Sequence, residues 1–524
     1  MNVLLIYPVS SGMISLAGRN AAMRISGKWS YSPPLGLVTL AALLPQDWRF
    51  QLVDLSFQQI STQQWEESDL VLISGTVLHL AHVLELIREA KRRKKIVGVG
   101  GPGVFHYPEI AVQAGADFVV RGEAEPAIPL ILKALDEKRT GLIIDKDRPS
   151  ELSESPTPRF DLLDMSAYVD MSIQFSRGCP FECEFCDASK MFGRQVRTKG
   201  PAQVLTELQA LYDLGWRRQI FIVDDNFIGS VSKAGSLMTA LIPWMEKHDR
   251  PFDFLTQASV DLAKYPQLMD SMVKAGFAAV FLGIETPSKE VLEGIGKTQN
   301  VRADLYGVCK AINEAGLEVM AGTIVGLDGE RPGNDQCIID FVTETGIPLV
   351  DVELVHAFPG TTLWDRMRKE GRLLFGSDFD PGKQQDYTLN ILPLRPMNEV
   401  INEYLHAIET LYEPSIFLER TFNHFMAMSK MPFSAKPPRP DAHEVILFFY
   451  LCARWGVAWP TRTKFWKYLG TILWKCGRKR AYRFLRCCTF FDHHLQVRER
   501  AVEFFRGNTF AIDTTSRVES EHST

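Results

Sequence analysis

The sequence carries Ser176-Arg-Gly-Cys-Pro-Phe-Glu-Cys-Glu-Phe-Cys-Asp187, in which Cys179, Cys183 and Cys186 form a C-x3-C-x2-C array. Three thiolates so close together can bind three irons of a cubane [4Fe-4S] cluster, whereas a closed electron-transfer cluster or a structural zinc site normally takes four protein ligands. A small molecule must then coordinate the fourth iron, which has no cysteine ligand. A zinc site is the main alternative, and three buried apolar cysteines are the other.

The residues around this array give it a position and a resemblance. Residues 171–176 predict a short buried strand, so the cysteines lie in a loop at its C-terminal end, where barrel enzymes place their chemistry. The spacing, with Phe185 directly before the last cysteine, resembles the radical S-adenosylmethionine (SAM) superfamily. That resemblance implies that SAM binds the open iron and is cleaved to methionine and a 5'-deoxyadenosyl radical. It also implies an external electron donor such as flavodoxin or ferredoxin.

Length and composition favour an intracellular enzyme of two or three domains. The 524 residues are 46% apolar and 23% charged, an ordinary globular composition. The net charge of −5 and pI near 6.2 give no overall nucleic-acid signature, so no nucleic-acid partner is expected. Nine cysteines without a regular framework, in a chain that opens with a strand-like segment, favour a reducing cytoplasm. The longest apolar run, 445–453, is too short to span a bilayer.

Residues 1–138 alternate strand-like and helical patterns and predict a five-stranded, doubly wound, Rossmann-like sheet. The predicted strands are 3–7, 50–55, 70–74, 96–100 and 118–121. Such sheets bind ligands at the carboxyl ends of their strands, where this chain places glycines and small residues. The alternative is that these glycines only form tight turns. The candidate cofactor-binding residues are Ser74, Gly75, Thr76, Gly100, Gly101, Gly122 and Glu123.

The domain order resembles the cobalamin-dependent radical SAM proteins, and 99–102 and 121–123 look like that family's cofactor-facing loops. Cobalamin is therefore an expected cofactor. The D-x-H-x-x-G motif that supplies a histidine to cobalt is absent, so the resemblance implies cobalt without a histidine ligand. Gly103 departs from the family, because many relatives have a histidine there. Methylthiotransferases, which hold a second cluster on three N-terminal cysteines, are excluded because residues 1–178 contain no cysteine.

Residues 139–170 are rich in Asp, Ser and Pro and predict a linker, followed by a radical SAM core at 171–395. Six predicted strands there suit a partial (β/α)6 barrel: 172–175, 219–223, 252–257, 279–284, 319–325 and 350–355. By the resemblance, Asp224 or Asp225 accepts hydrogen bonds from the SAM ammonium group, although these acids can equally cap the next helix. Glu285 is a candidate for a ribose or amino contact, and Gly322 for packing against adenine.

Residues 396–512 predict a helical domain, and 513–524 a disordered tail. This domain resembles the C-terminal extension of the branch that includes hopanoid C-2 methylase. Segment 462–486 has nine Lys or Arg and no acid, interleaved with aromatic residues. Such a face can contact an anionic membrane or flank a lipid-like substrate, or it can be a solvated helix packed on the barrel.

The sequence therefore predicts a cobalamin-dependent radical SAM enzyme that methylates an unactivated carbon of a lipid-like or other hydrophobic small molecule. Two alternatives remain at this point. One is radical SAM and cobalamin chemistry without methyl transfer, such as a cyclisation or rearrangement. The other is an iron-sulfur binding or sensing protein without turnover.

Overall fold

The computed structural model describes residues 1–9, 21–145, 149–374, 389–428 and 442–507. Its first sheet lies in the order β2-β1-β3-β4-β5-β6, and every pairing is parallel. The strands are β1 (Asn2–Tyr7), β2 (Arg49–Asp54), β3 (Leu70–Ser74), β4 (Ile96–Gly100), β5 (Phe118–Arg121) and β6 (Leu142–Asp145). The disordered tail predicted at 513–524 lies outside the described residues.

The five predicted strands of this sheet are confirmed, but the count of five is wrong. The sixth strand, β6, lies in the stretch interpreted as a linker and pairs with β5 from Phe118 opposite Leu142 to Arg121 opposite Asp145. A strand of only four residues carries too little periodicity to stand out from the polar, proline-rich segment that follows it. Edge pairing to β5 decides its conformation.

Side chains of the first sheet alternate between two apolar cores, which makes the sheet doubly wound. Val71 and Ile73 of β3 enter one core, whereas Leu70 and Leu72 enter the other. Helices therefore cover both faces. They are α2 (Leu35–Leu43), α3 (Thr62–Glu67), α4 (Leu80–Arg92), α5 (Pro102–Phe105), α6 (Pro108–Gln113) and α7 (Ile128–Asp136). The first helix of the chain, α1 (Ala21–Ile25), packs against the C-terminal helices instead.

The second sheet is a partial barrel of six parallel strands in the order β14-β13-β12-β11-β10-β7, and the six predicted strands are confirmed. A two-stranded antiparallel sheet of β8 and β9 stands beside it. The strands are β7 (Met171–Ile173), β8 (Ser176–Arg177), β9 (Arg197–Thr198), β10 (Gln219–Ile222), β11 (Asp253–Ala258), β12 (Phe277–Glu285), β13 (Glu318–Val325) and β14 (Leu349–Leu354).

Helices follow the barrel strands and bury their apolar faces against them. They are α8 (Ala188–Phe192), α9 (Pro201–Asp213), α10 (Val231–Lys247), α11 (Pro266–Ala275), α12 (Lys289–Gly294), α13 (Thr298–Val301), α14 (Leu305–Ala315), α15 (Asn334–Thr345) and α16 (Thr362–Lys369).

The C-terminal helices pack on the barrel, and the last one crosses its floor. They are α17 (Met397–Leu411), α18 (Pro414–Ala427), α19 (Ala442–Ala453), α20 (Arg462–Cys476) and α21 (Arg478–Gly507). On α21, Arg483 pairs with Glu318 at the start of β13 (2.8 Å), and Arg486 donates to Gln219 at the start of β10 (2.8 Å). Within the described ranges, none of the helices has the length and apolar character to cross a membrane.

Candidate functional site

The cysteine loop begins directly after β8 and is held against β9. Gly178 has φ +95°, and a Cβ there would lie 2.7 Å from the Gln195 carbonyl, so this position requires glycine. The Cys179 N–H donates to the Gly193 carbonyl (3.2 Å), and the Cys186 N–H donates to that of Cys183 (3.1 Å). These backbone bonds fold the loop so that its three thiols share one region.

The thiols are partly buried and influence one another. Burial raises the pKa of Cys186 to about 12 and also raises the pKa of Cys179, and a charge on Cys183 adds to both shifts. Iron binding must therefore displace protons from these side chains. Over the residues that the structure describes, no three Cys, His, Asp or Glu side chains converge on a single metal ion. A cubane makes a different demand, since each thiolate binds its own iron.

The two aspartates at the end of β10 differ in surroundings. Asp224 is fully buried and accepts hydrogen bonds from the Phe175 N–H (2.8 Å) and the Ser176 hydroxyl (2.7 Å). It ties β10 to the segment that leads into the cysteine loop. Asp225 lies so close to that loop that its charge raises the pKa of Cys179 and Cys186. Burial and the nearby Asp187 raise the pKa of Asp225 itself to about 6.

Glu285, at the end of β12, has φ +62° and forms a buried ion pair with Lys297. Lys297 Nζ also lies 5.5 Å from the Phe185 ring centroid, and Gln299 Nε2 lies 3.7 Å from Cys183 Sγ. Lys297 and Gln299 were not among the site residues predicted from the sequence. They lie in the short polar segment 296–300. A short polar segment normally indicates an exposed turn, and the sequence of this one does not indicate that it folds inward.

Gly322 lies in β13 next to the aromatic ring of Phe281, which a Cβ at Gly322 would approach to 3.1 Å. It faces the barrel interior at the same level as Gly283, its partner in the strand pairing. A Cβ at Gly283 would meet Glu285 and Lys297 at 2.5 and 2.6 Å. Gly283 therefore makes room for the ion pair, and Gly322 makes room for the Phe281 ring.

A cavity of about 270 Å³ lies at the carboxyl ends of β3, β4 and β5. The barrel side also lines it, so the cavity lies between the two sheets; Gln174, Arg177 and Val223 belong to that side. Five predicted residues line it: Ser74, Gly100, Gly101, Gly122 and Glu123.

The glycine wall of this cavity is required by its geometry. Gly101 has φ +89°, and a Cβ there would lie 2.4 Å from Ser74 Oγ. Gly122, with φ +99°, also lines the cavity, and a Cβ there would meet nothing within 4 Å. The backbone at Gly122 is therefore open to a flat cofactor such as a corrin ring. Gly75 and Thr76 are not among the lining residues. They support the turn instead, since the Gly103 N–H donates to the Gly75 carbonyl (2.9 Å) and a Cβ at Gly103 would meet the Thr76 carbonyl at 2.6 Å.

The basic segment 462–486 does not form one surface, contrary to the sequence-based expectation. Arg483 and Arg486 turn inward onto the barrel floor, and Arg480 donates to the Phe425 carbonyl (3.0 Å). The break at Gly477 separates α20 from α21, so the two halves have different faces.

The exposed face of α20 combines aromatic and basic side chains, and we call it the C-terminal surface. Trp474 is 84% exposed and Trp466 48% exposed. The indole N–H of Trp466 donates to the Gly456 carbonyl (3.0 Å), which places exposed Val457 beside it. Further exposed members on α20 are Arg462, Lys467, Leu473 and Lys475, and the surface also includes exposed Arg478, the first residue of α21.

Three family descriptions match the chain. They are the B12 binding domain over residues 30–132, the Radical SAM superfamily over 173–341, and a domain of unknown function (DUF4070) over 361–505. The first two cover the regions that contain the inter-sheet cavity and the cysteine loop. The third covers most of the C-terminal helices.

Similar proteins extend over most of the chain. An uncharacterized methyltransferase of Synechocystis is 40% identical over 95% of this chain and 92% of its own length. The hopanoid C-2 methylase of Rhodopseudomonas palustris is 31% identical over 75% of this chain and 73% of its own. Among solved structures, the cobalamin-dependent S-adenosylmethionine radical enzyme OxsB with aqua-cobalamin bound shares the fold. Its TM-score is 0.60 at 15% identity, over 96% of this chain and 80% of that one.

Proposed function

Since this chain belongs to the cobalamin-dependent radical SAM methyltransferases, we propose that it methylates an unactivated carbon of a lipid-like substrate that it meets at an anionic membrane surface. The enzyme uses a [4Fe-4S] cluster, SAM and cobalamin, acts on a small molecule and needs an electron donor. The cluster supplies the electron that cleaves SAM, and cobalamin carries the methyl group. Flavodoxin or ferredoxin is the donor we propose.

The site residues divide this work between the two sheets. Cys179, Cys183 and Cys186 would each hold one iron, and Asp225 would accept hydrogen bonds from the SAM ammonium group. Glu285, fixed by Lys297, would contact the ribose or amino group.

Glycine backbone would contact the two larger cofactor surfaces. Gly322 would lie against adenine, inside the barrel. Ser74, Gly100, Gly101 and Gly122 would line the cobalamin cavity. Residues 1–138 would thus bind cobalamin, 171–395 the cluster and SAM, and 396–512 the membrane.

The C-terminal surface is the observation that carries the substrate proposal. Indole rings prefer the boundary between lipid and water, and each basic residue near an anionic surface adds about 1 kcal/mol of attraction. Here exposed Trp466 and Trp474 lie among exposed basic side chains along α20 and at the start of α21. One relative, the hopanoid C-2 methylase, is named for a substrate of the lipid-like class proposed here. We infer that this surface brings the enzyme to lipid-soluble molecules.

Vesicle flotation tests the surface directly. The wild type should bind phosphatidylserine vesicles at low salt, and the triple variant Lys467→Glu, Lys475→Glu, Arg478→Glu should bind at least about 100-fold more weakly, because three contacts of about 1 kcal/mol each are lost and the new carboxylates are repelled. Trp474→Ala should weaken binding by about tenfold. The matched control is Lys233→Glu, Lys289→Glu, Lys310→Glu, which changes charge equally at exposed positions elsewhere. Equal binding by all variants, or no wild-type binding, would contradict the proposal.

A further inference from the structure

Four charged side chains meet between the first sheet and the barrel. Glu123 and Glu125 come from the loop after β5, whereas Arg177 and Arg197 come from the antiparallel pair β8 and β9. The side chains of the arginines are 12% and 10% exposed, and those of the glutamates 5% and 4%. We call this group the inter-sheet ion cluster.

Glu123 is the centre of the inter-sheet ion cluster. Its carboxylate accepts from Arg197 Nη2 (2.6 Å) and Arg177 Nη1 (3.0 Å), and from the Ser150 N–H (3.1 Å). The Ser150 hydroxyl also donates to it. Arg177 Nη1 reaches Glu125 Oε2 at 3.0 Å, and Arg197 Nη1 donates to the Ser150 carbonyl at 2.6 Å. These hydrogen bonds satisfy the Glu123 carboxylate without any cofactor.

Such a group is expensive to bury, so its location is informative. Desolvating paired charges costs several kcal/mol per ion and returns little net stability over an apolar contact. What a buried group with several such hydrogen bonds does provide is a fixed geometry, because guanidinium and carboxylate planes bond only in a few relative orientations. This geometry is imposed across the boundary between two sheets.

Both ends of the inter-sheet ion cluster adjoin a cofactor site. Glu123 directly follows Gly122, and it lines the cavity of about 270 Å³ together with Arg177. Arg177 precedes Gly178 and Cys179 in the cysteine loop, and Arg197 also donates to the Phe192 carbonyl at that loop's far end (2.9 Å). A change in the cluster would therefore move the cavity relative to the loop.

We propose that the inter-sheet ion cluster sets the separation and orientation of the cobalamin cavity relative to the cysteine loop, so that Glu123 and Arg197 are positioning residues for methyl transfer. Glu123 was predicted as a cofactor contact; here it acts through the arginines. Reacting groups must be held within fractions of an ångström, and a displacement of about 1 Å can cost about 100-fold in rate. The inference requires the two cofactors of this family but not a lipid-like substrate.

The test uses full-length protein reconstituted with iron, sulfide and hydroxocobalamin, and the variants Arg197→Gln, Glu123→Gln and their combination. Iron content and cobalamin affinity should stay within about twofold of wild type. The magnetic interaction between cob(II)alamin and the reduced cluster, seen by electron spin resonance, should change. With an added low-potential chemical reductant to reduce the hydroxocobalamin, the first equivalent of S-adenosylhomocysteine, which needs reduced cobalamin but no substrate, should form at least about tenfold more slowly. The double variant should be slowed by less than the product of the two single effects, since both substitutions break the shared Glu123–Arg197 contact.

Two further variants keep the result interpretable. Arg197→Lys keeps the positive charge but loses the two-point contact with the carboxylate, and it replaces Arg197→Gln in the test if that variant fails to fold. Its magnetic interaction and its rate should lie between those of wild type and Glu123→Gln. Lys91→Gln is the matched control, since Lys91 pairs with the 6%-exposed Asp117 (2.7 Å) within the first sheet's own domain. It should change neither the spectrum nor the rate.

Two results would overturn the proposal. In one, the Arg197 variants and Glu123→Gln retain the wild-type magnetic interaction and rate. In the other, Glu123→Gln loses cobalamin at least tenfold more readily than the Arg197 variants do, which would make Glu123 a direct cofactor contact. Neither result depends on the vesicle experiment, so failure here and failure of the lipid proposal are separate.

Discussion

Two adjacent aspartates that follow β10 have different surroundings, which separate a residue with a structural role from the one we propose to contact SAM. Asp224 bonds to the Phe175 N–H and the Ser176 hydroxyl, whereas Asp225 lies beside the cysteine loop. Both residues were candidates from the sequence, and the sequence could not choose between them. The choice depends on which of two neighbouring side chains points into the protein, and β10 sets this through its pairing with β7 and β11.

At this residue scale, Asp225→Asn should lower SAM affinity about tenfold, because a charge-assisted hydrogen bond to the ammonium becomes a neutral one. Equilibrium binding of SAM to cluster-containing protein measures this, with iron content as the check on folding. Asp224→Asn is the matched control: it should lower the melting temperature more than Asp225→Asn does, since it disturbs two buried bonds. Wild-type SAM affinity in Asp225→Asn would refute the assignment.

At the scale of elements, α21 closes the barrel floor with charged side chains, and Asp170 lies in that floor. Burial raises the pKa of Asp170 to about 7. The Ser32 hydroxyl, which donates to Asp170 Oδ1 (2.6 Å), and the charge of Arg486 lower the pKa, but by less. Asp170 lines a second cavity, between the barrel floor and α21. Glu318, Asp351, His493 and His494 line this cavity too. The sequence predicted a basic helix here but not its inward face, because helical periodicity was masked by the break at Gly477.

The raised pKa predicts a pH dependence of stability with a definite sign. The folded state holds the Asp170 proton more tightly than the unfolded chain, whose carboxyl has its ordinary value of 3.8. Stability is therefore lost as pH rises from about 4 through 7. Between pH 5 and 8, wild type should lose about 2 to 3 kcal/mol that Asp170→Asn does not lose. Paired melting curves at both pH values measure this, and a constant difference in melting temperature would contradict it.

At the scale of the molecule, the strand patterns determined most of the architecture in advance. All eleven predicted strands exist, because apolar runs bounded by glycine or polar residues carry a strong signal. β6 was missed because its stability comes from its neighbour β5 rather than from its own four residues. The inter-sheet cavity and the ion cluster were beyond prediction, since they join loops around residues 74, 101, 123, 177 and 197 that only the packing of two sheets brings together.

Methyl transfer to a lipid-like molecule should change the lipids of a strain that lacks this gene, and mass spectrometry of lipid extracts measures that change. Lipid extracts of wild type should contain a compound that the deletion strain replaces by its homologue one CH2 unit smaller. Complementation with the wild-type gene should restore the larger compound, whereas Cys183→Ala should not, because it removes one iron ligand. Two findings together would contradict methyl transfer to a lipid: identical lipid extracts from wild type and deletion strain, and a water-soluble metabolite that lacks one methyl group in the deletion strain.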